Sequence, residues 1–198
     1  SIAAMNTRHS LKYCPENAEA LTRQWVESMV VGLNLCPFAA PVVKQATIHY
    51  AVEEGDKDEA VIQAFLAELD RIQASEEDEL ATTLLVTPNA LPEFEQYLDM
   101  LDILQGLLDR SGLGGVFQLA SFHPNYQFGG VSANDITNWT NRSPFPCFHL
   151  IREGMMTRVL MNYGDPDEIP ERNMTLMQEL GREGLIERYP PYADYIRD

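Results

Sequence analysis

Positive charge is what this chain has least of. Fourteen lysines and arginines face 30 aspartates and glutamates, a formal net charge of −16 over 198 residues. Nucleic-acid affinity comes from basic side chains displacing counterions from phosphate, so a nucleic-acid partner is not expected. Long apolar runs are also missing. None approaches the roughly 20 residues that a membrane-spanning helix needs, and no membrane partner is expected. Ser1–Ser10 lacks the charged-then-apolar pattern of a secretion signal, which makes the cytoplasm the expected location. Cysteine is scarce and odd in number: Cys14, Cys36 and Cys147, with no C-x-x-C. That excludes a disulfide framework and suits reduced thiols. There is no H-E-x-x-H, no phosphate-binding G-x-x-x-x-G-K, and Gly112-Leu113-Gly114-Gly115 is not a dinucleotide fingerprint. Neither a metal nor a cofactor is expected, and no motif bears on oligomeric state.

The charge that is present is uneven. Acids crowd residues 53–80, where they read as solvated helix ends. Residues 116–164 are slightly basic, with Arg142, Arg152 and Arg158 against Asp135 and Glu153. That local excess makes a small anionic ligand the expected partner of an otherwise acidic protein.

Residues 1–15 show no periodicity and read as an N-terminal arm, with one α/β domain over 16–198. Leu21, Trp25, Met29, Val30 and Leu33 recur at helical spacing. That helix should stop near Leu35, because Pro37 disfavours helical geometry at Cys36. Thr47–Val52 alternates as a half-buried strand. A helix follows with Val61, Phe65, Leu69 and Ile72 on its inner face. Ala81–Thr87 is an apolar strand, then Phe94, Tyr97, Leu101, Leu104 and Leu108 form the stripe of a long helix that ends near Gly112. Val116–Phe122 is a third strand, nearly all apolar and so expected to be covered on both faces. Strand and helix alternating in this order predict a mainly parallel sheet of three to four strands flanked by helices. A long ordered loop, 123–146, follows. Cys147–Arg152 is either a fourth strand or a helix. Met155–Tyr163 and Pro170–Leu180 read as helices, and Tyr189–Tyr195 as an aromatic tail packed on the body.

Chemistry-bearing residues gather in Ser121–Glu153. His123 precedes Pro124, which holds it extended just past a strand end, the place where open parallel sheets bind ligands. Asn125 and Tyr126 follow it. Asn141-Arg142-Ser143 leads into Pro144 and Pro146, a stiffened turn whose arginine fork suits carboxylate or phosphate. If Cys147–Arg152 is helical, His149, Arg152 and Glu153 share a face; as a strand, Cys147 and His149 do. Cys36 sits at the rigid turn before Pro37, as a nucleophile or a wall of the site. His123, His149 and Cys36 are therefore the candidate catalytic groups. Asn125, Tyr126, Asn141, Arg142, Ser143, Arg152 and Glu153 are the candidate ligand contacts. His49 reads only as a polar position on an alternating strand.

The segments W-V-E with L-N-L-C-P-F-A, T-T-L-L-V, Q-L-A-S-F-H-P-N-Y-Q-F and N-R-S-P-F-P-C-F-H-L-I-R-E resemble a bacterial family of unknown function, numbered 1415 among such families. The resemblance runs from about Trp25 to about Gly181. It implies that Cys36–Phe38, His123-Pro124, Asn141–Pro144 and His149–Glu153 are the family's signature, and it carries no activity. The residues themselves favour an enzyme acting on a small anionic metabolite through histidine and arginine, with Cys36 as a further participant. The rival expectation is a non-catalytic ligand-binding or interaction domain.

Overall fold

A computed structural model describes residues 11–197. Most of the expected arm, residues 1–10, lies outside the described residues. Its last part is docked: the Tyr13 hydroxyl donates to the Pro144 carbonyl at 2.7 Å, and the ring stacks on Phe145 and Tyr195.

Strands β1 (Ile48–Val52), β2 (Thr82–Val86), β3 (Phe117–Phe122) and β4 (Cys147–Arg152) form one sheet in the order β1-β2-β4-β3. β1 and β2 pair in parallel, whereas β4 is antiparallel to both β2 and β3. The expectation of a mainly parallel sheet is thus overturned. β1, β2 and β3 do point the same way, as their helical crossovers require, but β4 slots between the last two. The cause lies in its side chains. Cys147 and Ile151 on one face, and Phe148 and Leu150 on the other, are all buried, so this strand needs cover on both sides. β3 carries an exposed Gln118 and a half-buried Ser121 and takes the edge, against the expectation of full cover.

One sheet face is covered by the ends of the chain. Helix α1 (Ala18–Trp25) continues as a π-helical segment, Val26–Val31, and turns before Pro37. Leu21, Trp25 and Met29 pack there with Tyr50, Leu84 and Val86. Short helix α2 (Ala39–Lys44) follows and shares a small core cluster with Ala81 and Ile151 through Phe38 and Val42. The opposite face is covered by the crossover helices α3 (Asp58–Gln73) and α4 (Phe94–Arg110). Phe65, Ile72, Tyr97 and Leu104 bury against Leu85, Phe148 and Leu150. Helix α5 (Glu153–Met161) leaves β4 directly. Helix α6 (Glu168–Arg188) is interrupted at Gly181 (φ 64°, ψ 178°), a conformation open in practice only to glycine. Helix α7 (Tyr192–Tyr195) closes the described chain, and Tyr189, Tyr192 and Tyr195 are all buried on the first face. Among the described residues, no helix is long and apolar enough to cross a membrane.

The loop 123–146 is held from within. Asp135 caps a 3-10 turn, Ile136–Asn141, by accepting from the Thr137 amide at 2.9 Å. Asn138 accepts from the Phe128 amide at 3.0 Å and donates to the Ser132 carbonyl at 2.9 Å.

Candidate ligand cavity

The carboxyl ends of β1, β2 and β3 share one edge of the sheet, where His123 follows β3. Its ring is fully buried, 5.4 Å from the Phe94 ring and 5.1 Å from Tyr97, centroid to centroid. Nε2 lies 2.9 Å from the Leu91 carbonyl, which can only accept, and Nδ1 accepts from the Asn125 amide at 3.0 Å. These two partners define the neutral Nε2–H tautomer and use both nitrogens. A second proton would set one N–H against another. Burial pulls the imidazole down to about 4, Arg142 adds to this, and the Leu91 carbonyl opposes it.

The neighbouring candidates also hold backbone. Arg142, buried, donates to the Tyr126 carbonyl at 2.9 Å and the Ala133 carbonyl at 2.6 Å. Asn141 donates to the Ser121 carbonyl at 3.1 Å, and Ser143 to the Phe145 carbonyl at 2.6 Å. The Tyr126 ring lies 5.1 Å from Phe94 and 5.0 Å from Phe128. At the other end of the sheet, Arg152 donates to the carbonyls of Ile72 (3.0 Å), Ser75 (2.9 Å) and Leu80 (2.9 Å), fastening the end of α3 to β4. Glu153 opens α5 and its amide donates to the Val116 carbonyl at 3.0 Å. Beside the loop, an open groove is lined by Glu93, Glu95, Asn125, Asn134, Arg142 and Arg197. Its two carboxylates stand against its two guanidinium groups.

His149 and Cys36 come together elsewhere. Between the first sheet face and the segment from α1 to α2 lies an apolar cavity of about 130 Å³. Trp25, Val30, Phe38, Tyr50, Ala120 and Phe122 contribute to its wall, as do both of these residues and Thr82. The strand register explains His149. It lies opposite Leu84 on one side and Ala120 on the other, so it shares their face of the sheet. The imidazole sits between the rings of Phe38 (6.4 Å) and Phe122 (6.2 Å), and Nε2 is 2.7 Å from Thr82 Oγ1. Cys36 arrives from the turn between the π-helical segment and α2. Both residues are only half-buried, and both line the cavity.

Electrostatics at the cavity are those of a low-dielectric interior. Burial draws His149 down to about 4 and raises the Cys36 thiol, the latter against the amides of Phe38 and Ala39. Both groups are neutral at pH 7. Cys147, on the same strand as His149 but fully buried and off the cavity wall, donates to the Phe145 carbonyl at 3.1 Å and is pushed up to about 12 by burial. Among the described residues, no group of three or more histidines, cysteines or acids is placed to hold a metal.

Two features escaped the sequence reading. Thr82, read only as part of a strand, is the partner of His149; its signal was a pair of threonines opening the otherwise apolar T-T-L-L-V. On the opposite sheet face, His49 Nδ1 meets Glu68 Oε1 at 2.6 Å. Glu68, 3% exposed, also accepts from Thr83 (2.7 Å) and Arg71 (3.2 Å). Burial raises this carboxyl, but the three donors together outweigh it and leave it below its ordinary range. An acid on the inner face of an apolar helix was the signal.

Fold and cavity together define a mixed helix-and-sheet protein with one mostly antiparallel, four-stranded sheet and an internal apolar chamber on one of its faces. The chain belongs to the family described as protein of unknown function (DUF1415), whose model matches residues 17–187. No curated protein and no solved structure matches it.

Proposed function

We propose that this chain is a ligand-binding domain that takes a small, mainly apolar molecule into the cavity between the sheet and the α1–α2 segment. The observation carrying this reading is that Cys36 and His149, separated by over a hundred residues, both line that chamber, which is otherwise walled, Thr82 apart, by aliphatic and aromatic side chains. Binding is favoured over thiol catalysis by the direction of two shifts. A thiolate–imidazolium pair needs a thiol more acidic than the imidazolium, and here burial moves the two groups apart.

A second reading, an enzyme for a small anion, draws on the open groove with Arg142 and Arg197. Glu93 and Glu95 line the same groove and oppose an anion, and none of His123, His149 and Cys36 is on its wall. The cavity reading is tested by NMR titration with toluene. Side-chain signals of Val30, Val42 and Ala120 should shift saturably, and filling the chamber with Ala120→Leu or Ala39→Leu should abolish the response. Absence of any shift at the solubility limit of toluene would sink it.

A further inference from the structure

We infer that the molecule this cavity selects is neutral and carries one hydrogen-bond donor, which it gives to Nδ1 of His149. The inference rests on the reading of the chamber as a ligand site and adds the chemistry of its occupant.

A single proton decides the tautomer of His149. A threonine hydroxyl has one hydrogen to give, and Thr82 donates its own to the Leu150 carbonyl. Its oxygen can then only accept from His149, so Nε2, 2.7 Å away, must carry the ring hydrogen. A neutral imidazole protonated at Nε2 has a lone pair at Nδ1. Among the described residues that nitrogen has no hydrogen-bond partner, and it is not one of the polar atoms sealed in the packing without one. His149 lines the cavity. The chamber therefore offers one strong acceptor in an apolar setting.

Three further observations narrow the class. Among the described residues, no lysine, arginine, aspartate or glutamate lines the chamber, so a carboxylate or ammonium would be buried there without a counter-ion, at high cost. The volume is close to the roughly 150 Å³ of an apolar protein cavity that binds benzene, which sets the occupant at about the size of a single six-membered ring. Water is a poor occupant, because buried waters make about three hydrogen bonds and this wall supplies few partners. A phenol or a compact alcohol meets every condition: an apolar body and one hydroxyl to donate.

The test compares toluene and phenol, matched in size, and the somewhat larger anion benzoate, at pH 7 on wild type and on His149→Phe. Phenol should bind wild type about 3- to 10-fold tighter than toluene, the range one neutral hydrogen bond supplies, and benzoate should not bind. His149→Phe keeps a ring in place and should erase the phenol preference while retaining toluene. Independently, ¹⁵N spectra of wild type should show the Nε2–H tautomer, with the bare Nδ1 signal moving on phenol addition and unmoved by toluene. This readout stands even if the variant fails to fold. If neither toluene nor phenol binds, the cavity reading itself fails. If toluene binds as tightly as phenol, if benzoate competes, or if Nδ1 carries the proton, the cavity reading survives and the donor requirement is overturned.

Discussion

Lowering the pH from 7 to 5 presses protons onto two imidazoles that the fold keeps neutral. His123 and His149 are both drawn from an ordinary value of 6.5 to about 4, chiefly by burial. Between those values the unfolded chain binds more protons than the folded one. The stability each contributes is therefore complete above about 6.5 and is lost as pH falls toward 4. One pKa unit corresponds to about 1.4 kcal/mol, so each histidine removes about 2 kcal/mol by pH 5 and about 3 kcal/mol by pH 4. Together they remove about 4 kcal/mol at pH 5, a large part of a typical stability of about 5–15 kcal/mol. Glu68 acts in a lower window. Its folded pKa is depressed, so its contribution is present above the ordinary carboxylate value and is lost below it. Urea unfolding followed by the fluorescence of Trp25 and Trp139, both buried, measures the effect at pH 7, 6 and 5. His149→Phe should halve the slope of stability against pH. A stability that does not change from pH 7 to 5, or normal titration of His123 and His149 by NMR, would refute the reasoning.

Arg152→Leu should cost about 2–4 kcal/mol in urea unfolding, because three carbonyls lose a charged donor. Arg152→Lys should recover little of it, since an ammonium cannot reproduce the planar fork. Gly181→Ala meets no atom within 4 Å, so its whole cost is the backbone conformation, about 1–3 kcal/mol, read as a fall in Tm. The Cys147 thiol, fully buried and held protonated, should resist iodoacetamide at pH 8 until urea unfolds the chain, as mass spectrometry of the labelled peptide will show.

Much of the element order was legible, because each element carries its own period. Val61, Phe65, Leu69 and Ile72 define a helix face wherever that helix ends up, and Leu84, Leu85 and Val86 mark a strand covered on both sides. The position of β4 was harder to read. Nothing local says that a strand following a long loop inserts between two earlier ones. The clue was comparative: Cys147–Ile151 has apolar side chains on both faces around His149, whereas Val116–Phe122 carries Gln118 and Ser121. Candidate residues were found as chemically rich positions, and the structure sorts them by what they touch. His123, Arg142, Ser143 and Arg152 spend their polar groups on backbone carbonyls and amides, a duty invisible in residue type. Cys36 and His149 share a cavity that four strands and two helical segments enclose. An empty space has no sequence signature, since each wall residue reads as ordinary core.

The late arrival of the central strand sets the order in which this sheet can be completed. Thr82 reaches Leu150 across 68 residues, so the inner edge of β2 stays open until β4, the last strand in the sequence, has been synthesised. Non-local pairing of this kind slows folding, and an exposed strand edge invites association with other chains. A fragment ending at Phe122 would hold the parallel β1–β2 pair and a separate β3, with no strand to bridge them. The same insertion that carries His149 to the cavity makes the loop before it, 123–146, the step on which closure of the whole sheet waits.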